Sequence, residues 1–170
     1  PVLDAIGRYD GRVRRRVDEL LGPAYATVTE FHAGTKENIV PENAEITLDR
    51  RVLPDEEFET INRELDDLLA DVEEAHGIET DWERFMAYAP CRIDDDSPLA
   101  ETVRRHAAGI AHGSVGAPAT SAATDTRNLV NDAGIEAITW GPGDLSEAHT
   151  VDEHVDLAEV DVFVDGVGLR

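Results

Sequence analysis

The residues best placed to do chemistry lie late in the chain, where Trp140-Gly141-Pro142-Gly143-Asp144 leads through Leu145-Ser146-Glu147-Ala148 to His149-Thr150-Val151-Asp152-Glu153. A short apolar run there enters a glycine loop that presents one imidazole just before a predicted helix, and ligands commonly bind where such runs end. Thr150 and Glu153 have the spacing of a capping box, which would fix His149 immediately outside that helix. A lone loop histidine is by type more often a surface residue than a ligand, because a catalytic zinc takes about three protein ligands. Upstream, Thr124-Asp125-Thr126-Arg127 offers a hydroxyl that could donate to an oxyanion or acyl oxygen. Its guanidinium could grip a carboxylate with two parallel hydrogen bonds. By composition alone the same four residues fit better an Asp-capped helix with a surface arginine.

A third stretch is Glu37-Asn38-Ile39-Val40-Pro41 followed by Ile46-Thr47-Leu48-Asp49-Arg50-Arg51. Neighbours on a strand alternate faces, so Arg50 and Arg51 should point opposite ways. Asn38 either touches a ligand or shapes the loop, and Arg51 by residue type alone fits an ordinary strand salt bridge equally well. The remaining histidines, His32, His76, His106, His112 and His154, lack paired metal spacing and read as structural or solvated. His154-Val155-Asp156 reads as a chance His-x-Asp, and Glu56-Glu57 and Glu73-Glu74 as solvated helix residues.

These stretches must be carried by elements that periodicity makes visible. A helix is predicted from Asp4 to Leu21, stopped by Gly22-Pro23, then a strand from Ala24 to Phe31 with Tyr25, Thr27, Thr29 and Phe31 on one face. After a Gly34 turn a second strand runs from Asn38 towards Leu53. Asp55 to Ala75 places Phe58, Ile61, Leu65, Leu68, Leu69 and Val72 on one helical face, with Gly77 as its carboxyl-terminal cap. Trp82 to Ile93 reads as a strand. Helix, strand, strand, helix, strand is a ferredoxin-like split unit lacking its first strand. Asp94-Asp95-Asp96 reads as a linker between a first domain, 1–93, and a second, 94–170. In the second, Ser97 caps a helix with Pro98 at its first position, a Gly- and Ser-containing loop follows, and a helix is expected near 125–132. A strand is expected at 137–140 and a final helix from about Thr150 to Val160, together part of an α/β layer. The fold class is therefore α+β.

Composition narrows the partners. The 170 residues carry 37 acidic and 15 basic side chains, a formal charge of -22, with Lys36 the only lysine. Such a surface repels phosphate backbones and anionic headgroups, so no nucleic-acid and no membrane partner is expected. Acid excess with little lysine and few aromatics is the composition of a protein from a high-salt cytoplasm, where short Debye lengths screen carboxylate repulsion. Hydrophobic residues make up 41% and fall in periodic runs, which argues against disorder. Cys91 stands alone, so no internal disulfide forms and a reducing compartment fits. No apolar run approaches a membrane span.

Taken in order, the three stretches resemble motifs of the zinc-dependent amide hydrolases that include acetylornithine deacetylase, succinyl-diaminopimelate desuccinylase, aminoacylase and glutamate carboxypeptidase. Gly-Pro-Gly-Asp with Ala-His-Thr-x-Asp-Glu resembles the carboxyl-terminal metal motif, Ala-Thr-Asp-Thr-Arg the substrate-pocket loop, and the Asn38 and Arg51 stretches a pair from the small lid domain. The resemblance implies a lid and dimerisation domain followed by the carboxyl-terminal segment of a zinc-peptidase catalytic domain. It implies His149 as one ligand in a site of two zinc ions, with cobalt or manganese as alternatives. Arg51, Arg127, Thr124 and Asn38 become substrate contacts for a small carboxylate-bearing acyl amino acid or short peptide, and a homodimer forms through the lid. The remaining metal ligands and the catalytic carboxylates of the family have no counterpart in these residues, so the chain alone is expected to be inactive. A non-catalytic dimerisation or small-molecule-binding module is the competing expectation.

Overall fold

The computed structural model describes residues 1–110, 119–166 and 168, which form two compact units. The first comprises Pro1–Pro90 with Ala119–Ser121, the second Cys91–Pro118 with Ala122–Arg170.

In the first unit, helix α1 (Val2–Val13) buries Ala5, Ile6, Tyr9 and Val13 along one stripe. It is shorter than its apolar periodicity suggests. Beyond its end the Asp18 carboxylate accepts from the Leu20 and Leu21 N–H groups at 2.8 and 2.9 Å, a turn that keeps the apolar run from continuing as helix. The chain then folds back into a two-residue ladder, β1 (Val17–Asp18) against β2 (Gly22–Pro23), and Gly22 at φ 76 makes the reversal without strain.

Strands β3 (Tyr25–Ala33) and β4 (Ala44–Arg51) form an antiparallel hairpin. Ala26 faces Arg50 and Val28 faces Leu48, but a bulge follows, so that Glu30 meets Thr47 and Phe31 meets Ile46. The extra residue flips the alternation. Phe31 therefore shares a face with Ile46 and Leu48 rather than with Tyr25 and Thr27, which corrects the single-face expectation. Helix α2 (Phe58–His76) buries Ile61, Leu68 and Val72 and closes on Gly77, whose φ of 64 lets its N–H reach the Glu73 carbonyl at 2.8 Å. The core joins Ala5, Tyr9 and Val13 of α1 to Ala24, Ala26, Leu53, Leu68 and Val72. Alanines at the hairpin positions leave room for the two helices to sit close.

From Ile78 to Ile93 the chain joins no ladder, so the strand expected from Trp82 to Ile93 does not form. Side-chain bonds tie it along α2: Thr80 N–H to Glu73 at 2.6 Å, Trp82 Nε1 to Asp66 at 2.8 Å, and Arg84 to Asn62 with its guanidinium over Phe58.

In the second unit, Ser97 caps α3 (Pro98–Ile110) as expected, its Oγ accepting from the Ala100 N–H at 3.1 Å. Helix α4 (Thr126–Asn131) is followed by a stretch at 137–140 that forms no strand. The last helix, α5 (Leu157–Gly166), begins after the predicted start at Thr150, and a single 3₁₀ turn at Leu145–Glu147 occupies the approach. Trp140 and Phe163 pack edge to face, with centroids 4.8 Å apart. Residues 111–118 of the expected Gly- and Ser-containing loop, His112 among them, lie outside the described residues.

Candidate functional site

Arg51 ends β4 on the open face of the hairpin, with its side chain 42% exposed and paired to Asp49 at 3.0 Å. Asp49 is two residues back on the same face, so strand alternation alone makes this pair. A further bond runs from Arg51 Nη1 to the Ser121 carbonyl at 3.0 Å. Arg50 points the other way, as alternation requires, and its side chain is 7% exposed.

Around Arg50 lies a charged cluster that the sequence reading missed. Arg50 Nε donates to the Tyr9 hydroxyl at 3.2 Å, one of its terminal nitrogens bonds the Arg51 carbonyl, and the other pairs with Glu56. Glu56 also accepts from Arg16 at 2.8 Å and from the Leu53 N–H at 2.9 Å. Arg16 bridges onward to Glu64, which accepts from Tyr9 at 3.1 Å. Glu56 is thus no solvated helix residue: it precedes α2 and its side chain is 9% exposed. Burial pushes its carboxyl up, but the two guanidinium groups and the Leu53 N–H outweigh that and leave it below the ordinary carboxylate value. Burial pushes the Tyr9 hydroxyl up. Every charge in the cluster has a partner, the condition under which burial of charge is tolerated. The available signal was Arg50 in phase with Leu48 on the inward face.

Asn38 sits exposed in the 36–39 turn, closed by Ile39 N–H to the Lys36 carbonyl at 3.3 Å. That turn is at the opposite end of the hairpin from Arg51. The length of β4, an eight-residue strand rising about 3.4 Å per residue that ends at Arg51, separates the two, so one chain does not bring them together.

Thr124 and Arg127 do come together, with Arg127 Nη1 donating to the Thr124 carbonyl at 2.8 Å. The Thr124 hydroxyl lies 3.0 Å from that of Thr139, which also meets Thr126 at 2.5 Å. Asp125 occupies the cap position of α4, but its carboxylate makes no capping bond to a backbone N–H. His149 is exposed and takes φ 64; it is the one non-glycine residue at positive φ among those described. The capping box expected at Thr150 is shifted by one: Glu153 reaches back to the His149 N–H at 2.9 Å, and Thr150 Oγ1 donates to the Glu147 carbonyl at 2.7 Å. No helix starts there, so the box closes a turn. The Ser146 N–H holds the Asp144 carboxyl below its ordinary value.

Among the described residues, no three His, Cys, Asp or Glu side chains group as a metal site would require. They do not of themselves fit a zinc ion, and His149 stands as a single donor. His154 is turned onto the Asp152 carbonyl at 2.7 Å.

Residues 3–77 match the family model of the peptidase dimerisation domain, a span that runs from α1 to the glycine capping α2. The helix, antiparallel hairpin and helix of the first unit are consistent with a domain of that type. The match supports a place in the peptidase family to which that domain belongs and is consistent with homodimer formation. No curated protein matches the chain. No helix among the described residues is long and apolar enough to cross a membrane.

Proposed function

We propose that this chain is the lid and carboxyl-terminal part of a zinc-dependent hydrolase that cleaves the amide bond of an N-acyl amino acid or short peptide. The carrying observation is the peptidase dimerisation domain match over residues 3–77. On this reading Arg51 and Arg127 select the substrate carboxylate, and Thr124 and Asn38 contact the substrate. Zinc, or cobalt or manganese in its place, is the cofactor of the whole enzyme, with His149 offering it one imidazole. No step of the hydrolysis is assigned to that imidazole. The expected setting is a high-salt cytoplasm, from the -22 charge.

On the same reading two chains pair through the lid, and the 170-residue protein is hydrolytically silent alone, because the resemblance assigns it one zinc ligand where a catalytic zinc takes about three. Sedimentation in molar KCl tests the first statement: a dimer unaffected by chelator is expected, and a monomer at all concentrations overturns it. Release of free amino acid from N-acetyl amino acids by the purified chain, abolished by chelator, would overturn the second. A non-catalytic dimerisation module is the other reading the dimerisation match favours; it predicts that His149→Ala leaves zinc affinity unchanged.

A further inference from the structure

We propose that Arg50 and Glu56 are positioning residues for Arg51, a clamp on the buried side of the hairpin that holds the strand end from which Arg51 reaches out. The inference rests on the reading of Arg51 as a carboxylate contact and adds what keeps it in place.

Arg51 is the last residue of β4, paired with Tyr25, and beyond it the ladder stops. A strand end is where backbone order is most easily lost. Here the Arg50 guanidinium bonds the Arg51 carbonyl and pairs with Glu56, while the other Glu56 oxygen takes the Leu53 N–H at 2.9 Å. The three contacts close a ring around residues 51–53. The Tyr9 hydroxyl at 3.2 Å and Arg16 at 2.8 Å anchor that ring to α1 and the turn after it. With side chains 7% and 9% exposed, Arg50 and Glu56 attract in a medium where salt screens weakly. Arg51 and Asp49, 42% and 38% exposed, are screened by molar salt and cannot supply that order themselves. Placing two successive arginines on opposite faces gives one the task of fixing the backbone and leaves the other on the exposed face, where a ligand carboxylate would compete with Asp49 and the Ser121 carbonyl.

The test is NMR of the 170-residue protein in molar KCl, comparing wild type with Glu56→Gln, Arg50→Lys and the milder Tyr9→Phe, which keeps the packing. Followed are the Arg51 Nε–H resonance, identified by its loss in Arg51→Lys, the exchange of the Leu53 amide, and shifts on adding N-acetylglycine. Expected in Glu56→Gln and Arg50→Lys is Leu53 exchange faster by at least about tenfold, the factor a charge-assisted hydrogen bond is worth. Arg51 Nε–H should broaden and its N-acetylglycine shift disappear, while core amides of α1 and α2 keep their protection. Tyr9→Phe should show the same changes in smaller degree. Unchanged Leu53 and Arg51 signals in the variants overturn the proposal, and so does loss of core protection in step with them. Ordering lost in the variants, with no N-acetylglycine shift at Arg51 in wild type, upholds the clamp and removes Arg51 from the substrate site.

Discussion

Arg50 and Arg51, adjacent in sequence, leave the end of β4 on opposite faces, one 7% exposed against Glu56 and Tyr9, the other 42% exposed against Asp49. The inward arginine is committed to the strand end, so conservative substitutions there act on the backbone of residues 51–53 before they act on any ligand, and only outright deletion of a charge reaches the stability of the whole unit.

Glu56→Ala removes the carboxylate that Arg50 and Arg16 share and leaves the Arg50 charge buried with only neutral partners. We expect a loss of about 3 kcal/mol, the cost of breaking a buried pair by deleting one member. Urea unfolding of the two proteins at equal salt measures it. Arg51→Ala, on the open face, should cost under about 1 kcal/mol in the same assay.

The cluster also sets a pH window. The folded Glu56 carboxyl lies below its ordinary value, so its contribution is complete above the unfolded value and is lost as pH falls through the folded one. Asp10, whose carboxyl is lowered by the Ala26 N–H and Arg14 against the upward push of burial, adds to the acid limb. Tyr9 is raised, so its contribution is complete below the ordinary tyrosine value and fades as pH rises through the folded one. Stability should therefore fall at both extremes. Glu56→Gln should flatten the acid limb in a denaturant-by-pH series, and an unchanged slope would exclude Glu56 as its source.

With a formal charge of -22, self-repulsion opposes the compact state and weakens as salt shortens the Debye length from about 10 Å at 0.1 M to about 3 Å at 1 M. The melting temperature should climb with KCl across that range. A flat or falling curve would remove the high-salt reading.

Gly143 takes φ 90, and a Cβ there would lie 3.3 Å from Val155 Cγ2. Gly143→Ala should cost the second unit about 1–3 kcal/mol, the range for strained backbone. Gly141→Ala, with open space around the added atom, is the control and should be near neutral. Thermal unfolding followed at Trp140 separates them.

His149 sits in the left-handed region, where asparagine is tolerated and β-branched side chains are not. His149→Asn should fold as wild type, whereas His149→Val should lose roughly 1–2 kcal/mol. Equal stability of the two would place the strain elsewhere.

Much of this was legible in the residues. The α2 stripe and its Gly77 cap, the Ser97 cap of α3, the hairpin and the opposed faces of Arg50 and Arg51 follow from local periodicity and side chains bonding to nearby backbone. The dimerisation character of the first unit came instead from the resemblance carried by the Asn38 and Arg51 stretches, and residues 3–77 match a peptidase dimerisation domain. The tertiary structure alone decided the rest. It stopped α1 at Val13 although the apolar spacing ran on, and it placed the bulge after Val28 that turns Phe31 over. It left 82–93 and 137–140 without ladders, and it drew Tyr9, Arg16, Arg50, Glu56 and Glu64 into one cluster from four separate stretches. A ladder needs a second strand and a buried charge needs a partner, and both conditions are met or missed by residues far away in the chain, which no local pattern records.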